Sequence, residues 1–457
     1  MRAHGAHLLA IAFVVTGCTR VGLPTPPPPP DLPPPSASRG APAARPNSSG
    51  GVPAPDVGGG LSGALPPVLL PTETGDVRAL WIVRTALSHP DSARAAVRRA
   101  AESGFNTLLV QVRGRGDAFY ESRWEPRPES MPGSVAPFDP LGTVLDEAHR
   151  RGLRVHAWVN VHLVASAVFP PRDPRHLVNA DPGRLAVPRA LASELFERDP
   201  REPAYLGALI RYAIENAGRV EGLFTNPAHP EVQDHLDRVI ADLVSRYPLD
   251  GVHLDYLRYP SPEFDYSRVS LEKFRAWARP RIGVGADGAE SRWPRDPLAY
   301  VTAFPSLWDW YRTEQVTTTM ERLFRIVRSV RPGTIVSASV HPDGAVARRE
   351  RFQDWEAWLP AGIVDLVIPM AYGRDGALFE AQIRNAARAD PRRIWAGLGI
   401  YQDSFEGAVA KGRAARGLGV GGIALFSYDW SVGAEGIAVA EGAYLARFAR
   451  EVWGSGY

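Results

Sequence analysis

The sequence predicts an α/β fold, namely a (β/α)8 TIM barrel with long βα-loop insertions, preceded by a disordered Pro-rich linker. Eight short apolar runs, rich in β-branched residues, alternate with amphipathic stretches, which is typical of βα units around a parallel sheet. Eight units favour a closed barrel over an open doubly wound sheet, and no GxGxxG turn follows the first run. The connection Val161–Leu249 and the one after Asp255 exceed ordinary βα loops, so we expect them to build a cleft.

Residues 1–18 are predicted to be a lipoprotein signal peptide. Arg2 supplies positive charge, and Leu8–Val15 is an apolar core far shorter than the ~20 residues that span a bilayer. Val15-Thr16-Gly17-Cys18 resembles a bacterial lipobox, in which Cys18 is lipidated. The alternative is an ordinary secretory signal with a chance cysteine. Thr19, where an Asp would signal retention, implies by resemblance to Gram-negative lipoproteins an outer-membrane anchor that faces the periplasm.

Residues 19–75 are predicted to be a disordered tether. The segment is mostly Pro, Gly, Ala and Ser, including Pro26–Pro30 and Pro33–Pro35, and such a composition cannot bury a core. At ~3.1 Å per residue it reaches on the order of 150 Å when extended. It would therefore hold the domain 76–457 well away from a membrane.

The predicted domain 76–457 contains eight strands in chain order: Ala79–Val83, Thr107–Val112, Arg154–Val159, Gly251–Asp255, Thr334–Val340, Val364–Met370, Ile394–Ile400 and Ile423–Tyr428. Helices are predicted between them, for example over Asp91–Ser103 and Pro140–Arg151. Gly104 and Gly152 stand just past these two segments, where helices commonly end.

Charge and cysteine content exclude several classes of function. Lys plus Arg (52) nearly balances Asp plus Glu (50), and the arginines are dispersed, so nothing indicates nucleic acid. Cys18 is the only cysteine, which excludes a disulfide framework and a thiolate metal cluster.

The run Gly251–Asp255 carries the strongest functional signal. Apolar residues alternate with His253 and Asp255, so a strand places these two side chains on one face. Asp255 falls where the run stops, and barrels keep their chemistry at the carboxyl ends of their strands. A buried aspartate is costly without a task or a partner, which favours a functional interpretation. Arg113 and Arg258 are candidate partners that would keep it ionised.

The chain resembles the glycoside-hydrolase-like family 10 domains of bacterial lipoproteins from about Val77 to Tyr428. The segments that carry the resemblance are Val77–Trp81, Gly104–Thr107, Gln111–Arg113, Gly116–Tyr120, Phe138–Leu141, Glu147–His149, His156–Asn160, Asn226–Val232, Asp250–Pro260, Val364–Asp365, Pro369–Tyr372 and Gly397–Tyr401. The resemblance implies an endo-acting glycosidase of the cell envelope that cleaves peptidoglycan glycan strands stripped of their peptides. Many members carry a second aspartate where this chain has Tyr256, so a mechanism that needs it is in doubt.

Glycoside hydrolysis usually needs two carboxyl groups. Asp255 is the expected nucleophile or the base that activates water. Asp343 and Asp375 are the leading candidates for the proton donor, ahead of Asp117 and Glu121.

The expected substrate is a polysaccharide, bound by polar and aromatic side chains at the strand ends. These are Trp81, Gln111, Arg113, Asp117, Tyr120, His156, Asn160, His253, Arg258, Tyr372, Tyr401 and Tyr428. The aromatic rings would stack on sugars or shape the cleft, whereas Gln111, Arg113, Asn160 and His253 would bind hydroxyls or amides. For His156, a role as a core histidine is equally expected. We expect a monomer without a cofactor or a bound metal.

Two other classes of function stay open. A metal-dependent deacetylase or amidohydrolase would use His156, His162, His253 and His341, although these do not form a recognised ligand spacing. A non-catalytic glycan-binding lipoprotein on a glycosidase fold is slightly favoured by the missing second carboxylate.

Overall fold

The computed structural model describes residues 77–131, 138–388, 390–433 and 443–454. The predicted signal peptide, Cys18 and the tether therefore lie outside the described residues. Within them, no helix has the length and apolar content needed to cross a membrane.

The described chain alternates strands and helices as the sequence predicts. The strands are β1 Val77–Ile82, β2 Thr107–Arg113, β3 Arg154–Asn160, β4 Leu163–Ala165, β5 Leu223–Phe224, β6 Gly251–Asp255, β7 Ile335–Val340, β8 Leu366–Pro369, β9 Trp395–Gly399 and β10 Gly422–Phe426. The helices are α1 Pro90–Glu102, α2 Pro140–Arg150, α3 Leu177–Ala180, α4 Ala192–Leu195, α5 Pro203–Glu215, α6 Pro230–Arg246, α7 Arg268–Ile282, α8 Asp287–Arg292, α9 Ala299–Ala303, α10 Pro305–Val330, α11 Gly344–Arg351, α12 Trp355–Ala361, α13 Gly376–Ala386, α14 Phe405–Gly417, α15 Tyr428–Gly433 and α16 Ala443–Trp453.

Eight parallel strands form the barrel, in the order β8-β7-β6-β3-β2-β1-β10-β9. Two parallel bridges, Val367 to Ile394 and Met370 to Gly397, join the two ends of this sheet and close it. The predicted (β/α)8 barrel is confirmed, and each predicted strand overlaps an observed one.

Local sequence signals explain where helices begin and end. Asp139 caps α2, because its Oδ1 accepts a hydrogen bond from the Gly142 N–H at 3.1 Å, and Pro140 follows at the first helical position. Gly104 and Gly152 lie just after α1 and α2 with φ of 83° and 70°, a backbone conformation that glycine adopts without strain.

The barrel has two apolar layers. Residues such as Leu80, Val110 and Val252 point outward and pack under the surrounding helices. Side chains of the opposite strand face, including Trp81 and Trp158, fill the interior. This alternation follows from the two-residue period of a strand, and it explains why the strands are buried on both faces.

Two long insertions stand on the carboxyl side of the strands. The first connects β3 to β6 and contains the short antiparallel ribbon of β4 and β5, with α3, α4 and α5 around its own apolar core. The second connects β6 to β7 and contains α7 to α10, with an aromatic cluster built around Phe274 and Trp308. Both insertions continue from strand ends that meet at the barrel mouth.

Candidate active site

Asp255 is the last residue of β6 and lies at the barrel mouth. Its side chain is buried, with 6% of its surface exposed. The Trp158 indole N–H donates to its Oδ2 at 3.1 Å, and the Tyr256 backbone N–H donates to its Oδ1 at 2.7 Å. The neighbouring strand β3 places Asn160 beside it in the sheet. Two donors thus fix the orientation of the carboxyl group.

A tight turn follows Asp255. Tyr256 has a positive φ of 51°, an uncommon conformation for a residue with a side chain, and such conformations concentrate at functional sites. The Arg258 guanidinium then lies over the Tyr256 ring, 4.4 Å from its centroid. The turn therefore places the positive charge of Arg258 near the Asp255 carboxylate.

Glu221 supplies a second carboxylate to the same place. It lies in the first insertion two residues before β5, and its Oε1 is 3.4 Å from the Arg258 NH2. Its Oε2 is buried and has no hydrogen-bond partner among the described residues. Gly222, which follows, has a φ of 153°, and a Cβ there would lie 2.1 Å from the Ala165 carbonyl oxygen. Only glycine allows the ribbon to approach this closely and to present Glu221 at the mouth.

The environment shifts the protonation of Asp255. Burial raises the pKa of its carboxyl group, and the negative charge of Glu221 adds to this. The Arg258 charge and the hydrogen bonds from Tyr256 and Trp158 oppose the shift, but the pKa stays above its ordinary value. Two carboxyl groups with different surroundings are the arrangement that acid/base catalysis uses.

Aromatic rings form the opposite side of the mouth. Tyr372, after β8, stacks on Phe426 at 5.6 Å and contacts Tyr401 edge-on at 6.1 Å. Tyr401, after β9, stacks on Trp430 at 5.4 Å, and 41% of the Trp430 surface is exposed. Burial, followed by the nearby charge of Asp255, raises the pKa of Tyr372. The rings therefore lead from the neighbourhood of Asp255 to solvent. Trp81 is buried beneath Tyr372, 6.3 Å away and edge-on.

His253 is bonded inside the barrel. Its Nε2 accepts from the Trp81 indole N–H at 3.3 Å and lies 2.9 Å from the Ser339 hydroxyl, while its Nδ1 lies 2.9 Å from the Ser337 hydroxyl. Because an indole only donates, Nδ1 carries the hydrogen of the neutral ring. Burial, and then the charge of His156, lowers the pKa of His253 to about 3. Both ring nitrogens are thus used internally, below the position predicted for substrate binding.

His156 lies deeper still, at the amino-terminal end of the barrel interior. Its ring is fully buried, 5.6 Å from Trp395, and burial lowers its pKa to about 4. Gly251 makes room for it, because a Cβ there would lie 2.5 Å from the imidazole. The structure therefore places His156 as a core histidine rather than at the mouth.

Arg113 does not pair with Asp255, in contrast with the prediction. Its guanidinium is fully buried and binds both carboxylate oxygens of Glu125, with the closest contact at 2.6 Å. It also donates to the Asn160 and Val161 carbonyl oxygens. The sequence did not show that Glu125 would fold back under the mouth, and this ion pair makes Arg113 part of the scaffold.

Asp343 and Asp375, the predicted proton donors, cap helices. The Asp343 Oδ1 accepts from the Val346 N–H at 2.9 Å at the start of α11. The Asp375 Oδ1 accepts from the Ala377 and Leu378 N–H groups at the start of α13. Both side chains belong to exposed residues. The structure brings Glu221 to Asp255 instead.

Three further predicted binding residues, Gln111, Asn160 and Asp117, lie around the mouth or beneath it. The Gln111 Oε1 accepts from the Arg84 NH1 at 3.0 Å, and the Asn160 Nδ2 donates to the Gly114 carbonyl oxygen at 2.9 Å. Asp117 accepts from the Arg115 N–H at 2.9 Å. The Asn160 Oδ1 is buried without a partner among the described residues. These polar groups hold the loops after β1 and β2.

Tyr120 and Tyr428 are buried in the layer between barrel and helices. Tyr120 packs edge-on against Tyr247 at 6.1 Å, and Tyr428 begins α15 with 7% of its surface exposed. Neither ring is exposed enough to stack on a sugar, which contradicts the first of the two predicted roles. The sequence pattern does not show whether a tyrosine after a strand faces the barrel mouth or packs under the surrounding helices.

The histidines that a metal-dependent hydrolase would need do not come together. His162 is buried with its Nδ1 3.0 Å from the Thr225 hydroxyl, and His341 bonds the Asp343 backbone. Within the described ranges, no group of three His, Cys, Asp or Glu side chains has the geometry of a metal site.

Comparisons with known proteins find a matching family model and similar sequences. The family model described as Glycosyl hydrolase-like 10 matches residues 76–401. The glycosyl hydrolase DigH of Escherichia coli K12 is 27% identical over 390 residues, which cover 75% of this chain and 77% of that protein. The glycosyl hydrolase YngK of Bacillus subtilis is 22% identical over 352 residues, covering 70% and 57% of the two chains.

Solved structures are similar in fold. The glycoside hydrolase domain of PgaB (BpsB) from Bordetella bronchiseptica superposes with a TM-score of 0.55 at 15% identity, covering 77% of this chain and 94% of that domain. A β-galactosidase from Marinomonas ef1 superposes with a TM-score of 0.54 at 13% identity, covering 82% and 59%.

Proposed function

The chain belongs to the glycosyl hydrolase-like 10 family, and on that basis we propose that it is a glycoside hydrolase of the cell envelope that cleaves peptidoglycan glycan strands. The carrying observation is the buried Asp255 carboxyl group, with Glu221 and Arg258 beside it at the mouth of the barrel. A site with two unlike carboxyl groups suits hydrolysis of a glycosidic bond.

Asp255 is suited to donate the proton to the leaving oxygen. Its raised pKa keeps a larger fraction of the group protonated near neutral pH than an exposed aspartate would have. The Trp158 and Tyr256 N–H groups hold the carboxyl in one orientation. This assignment differs from the role as nucleophile or base expected from the sequence.

Glu221 is suited to the second role, as the nucleophile or as the base that activates water. Its Oε1 pairs with the Arg258 NH2 at 3.4 Å, and its Oε2 is not engaged by another described residue. The pair replaces the adjacent second aspartate that this chain lacks, since Tyr256 occupies that position.

The aromatic side of the mouth supports a polysaccharide substrate. Tyr372, Tyr401 and Trp430 form consecutive ring contacts that lead away from Asp255. Rings in such an arrangement offer apolar faces to pyranose units. The peptidoglycan substrate follows from the family resemblance, and the predicted lipid anchor at Cys18 would hold the enzyme at the outer membrane, facing the periplasm.

One observation favours the alternative, a non-catalytic glycan-binding lipoprotein. In this chain Tyr256 stands where many members of the family carry a second aspartate. A binding protein would keep the aromatic side and need neither carboxyl group.

The test is product release from purified peptidoglycan, with and without prior amidase treatment, followed by mass spectrometry. The wild type is compared with Asp255→Asn, and Asp287→Asn, at an exposed residue of α8, is the matched control. We expect soluble fragments from the wild type and the control only. Retained binding to the same glycan without fragments from any of the three would overturn the hydrolase and support the binding protein.

A further inference from the structure

We propose that Arg115 and Arg351 bind a carboxylate on a sugar unit of the substrate, next to the bond that Asp255 and Glu221 cleave. The inference rests on the proposed function, because it assigns part of the same cleft. It predicts that the substrate is an acidic glycan and names the residues that distinguish it from a neutral one.

Arg115 lies on the loop after β2, against the ribbon that carries Glu221. Its NH1 donates only weakly to two backbone carbonyl oxygens, those of Ala165 at 3.4 Å and Glu221 at 3.3 Å. Within the described ranges, its guanidinium forms no ion pair with a carboxylate. The residue is nevertheless half-buried. Burial, and then repulsion from Arg84, lowers its pKa, and the nearby charges of Asp117 and Glu221 offset this only in part.

Arg351 is the last residue of α11 and approaches the site from the side of β7. Its carbonyl oxygen accepts from the Tyr259 N–H at 3.1 Å, which ties the helix end to the loop after Asp255. Its guanidinium has no hydrogen bond or ion pair with any part of the chain that the structure describes. By contrast, Arg349 on the same helix pairs with Glu350 at 3.0 Å. Burial and then repulsion from Arg258 lowers the pKa of Arg351.

The two arginines approach the mouth from different strands. In the sheet, β7 is next to β6 on one side, and β3 separates β6 from β2 on the other. The charge of Glu221 acts on both guanidinium groups. Half-buried guanidinium groups normally have a carboxylate partner, because an unpaired charge away from water costs free energy. Here Glu221 is paired with Arg258, and although its charge acts on both arginines, no described carboxylate lies within ion-pair distance of the Arg115 or Arg351 guanidinium. An anionic group on the ligand would supply the missing partner.

The chemistry of the arginine side chain favours a carboxylate as that group. Its planar fork of N–H donors matches the two oxygens of a carboxylate. A sugar unit can carry such a group on a lactyl ether, as in peptidoglycan whose peptides have been removed, or at ring carbon 6, as in a uronic acid. The experiment separates these two sources.

The experiment compares hydrolysis of a charged glycan with that of its neutral derivative. Amidase-treated peptidoglycan strands and a polyuronate are each used as such and after conversion of their carboxylates to methylamides. Wild type, Arg115→Gln and Arg351→Gln are assayed, with Arg349→Gln as the control that removes one arginine charge outside the site. Thermal unfolding verifies that the variants are folded.

We expect the wild type and Arg349→Gln to cleave the charged strand with a kcat/KM about tenfold higher than the methylamide. Each site variant should lose most of this preference, through a lower rate on the charged strand and little change on the neutral one. A preference with peptidoglycan alone identifies the lactyl carboxylate, and one with polyuronate alone identifies the uronic acid.

Equal rates on charged and neutral glycans by the wild type would overturn the inference and leave the proposed function standing. An unchanged preference in both site variants would also overturn it. If no glycan is cleaved, the hydrolase proposal fails. Co-sedimentation of the four proteins with the same glycans then tests the carboxylate site. Wild type and Arg349→Gln should bind the charged glycan more tightly than the neutral one, and an equal affinity of the wild type for both would overturn the inference.

Discussion

The barrel mouth has a charged side and an aromatic side, and the two are built differently. On the charged side, β6 and the first insertion bring Asp255, Glu221 and Arg258 together through hydrogen bonds and ion pairs. On the aromatic side, the ends of β8, β9 and β10 bring Tyr372 and Tyr401 together through ring contacts. One side is suited to move protons, and the other is suited to hold sugar rings.

This difference indicates that chemistry and binding are separable in the molecule. Charged groups affect the reaction through their protonation states, whereas stacked rings affect substrate binding through the apolar area that they bury. Substitutions on the charged side should therefore change kcat and its pH dependence, and those on the aromatic side should change KM. The following four expectations test that division.

The largest effect is expected for Glu221→Gln. The amide keeps the shape of the side chain but removes the negative charge, so kcat should fall about 10²- to 10⁴-fold. The assay is product release from glycan strands under saturating substrate. Glu197→Gln, at a side chain that is 81% exposed, is the matched control and should retain wild-type kcat. A kcat of Glu221→Gln within twofold of wild type would remove this residue from the chemistry.

The largest loss of stability is expected when the buried ion pair of Arg113 and Glu125, beneath the charged side, is broken. Burial raises the pKa of Glu125, but Arg113 and His235 more than offset this and hold it well below its ordinary value. Glu125→Gln leaves the buried Arg113 without its carboxylate and should lower the free energy of unfolding by about 3–5 kcal/mol. Urea denaturation of both proteins above pH 5 measures this loss in the free energy of unfolding.

A depressed carboxyl pKa contributes stability that is present above the pKa of the unfolded chain, about 4.3 for glutamate. That stability is lost as the pH falls through the pKa of the folded state. The difference between wild type and Glu125→Gln should therefore shrink in acid. Glu380→Gln removes a carboxylate of an exposed ion pair with Arg384 and should change stability by less than about 1 kcal/mol. Equal stabilities of the two variants at pH 7 would contradict the buried-pair account.

A smaller effect is expected on the aromatic side. Trp430→Ala removes an exposed ring that extends the stack of Tyr401, and a loss of about 1 kcal/mol corresponds to a roughly fivefold higher KM. The kcat on long strands should stay near that of wild type. Trp310→Ala, equally exposed but on α10, is the control. A fall in kcat with unchanged KM would show that the two sides are not separable.

The smallest effect is a shift in pH dependence for Arg258→Gln. The Arg258 charge lowers the pKa of Asp255, so its removal should raise that pKa further. If Asp255 acts as the proton donor, activity is present below this pKa and falls as the pH rises through it. The basic limb of kcat/KM should therefore move to higher pH. A basic limb that moves to lower pH, or does not move, would contradict this role.

The sequence was sufficient to predict the barrel because its periodicity reports burial on both strand faces. It also located Asp255, since a carboxylate at the end of a buried strand is conspicuous in such a pattern. Tyr372 and Tyr401 followed in the same way from the ends of β8 and β9. These positions depend on local sequence and on the rule that parallel strands end at one edge of a barrel.

The partners of these residues could not be predicted, because they depend on distant loops. Arg113 meets Glu125 through a loop that folds back, and Asp343 and Asp375 begin helices, a role that an Asp before a helix commonly fills. Glu221 was missed in a long insertion. Its only signal was an acidic residue before a glycine and a short apolar run, within a segment already expected to build the cleft.

The ribbon of β4 and β5 has a consequence for the stereochemistry of the reaction. Retaining glycosidases hold their two carboxyl groups about 5 Å apart, whereas inverting ones leave about 6.5–9.5 Å for a water molecule. Asp255 is fixed in the barrel, but Glu221 precedes a segment that pairs with β4 and with residues 185–186 of the same insertion rather than with a barrel strand. A two-residue change of register would keep its face and move it by roughly 6.6 Å. In the proposed hydrolase, the register of this ribbon, rather than the barrel, would therefore set whether the anomeric configuration is kept or inverted.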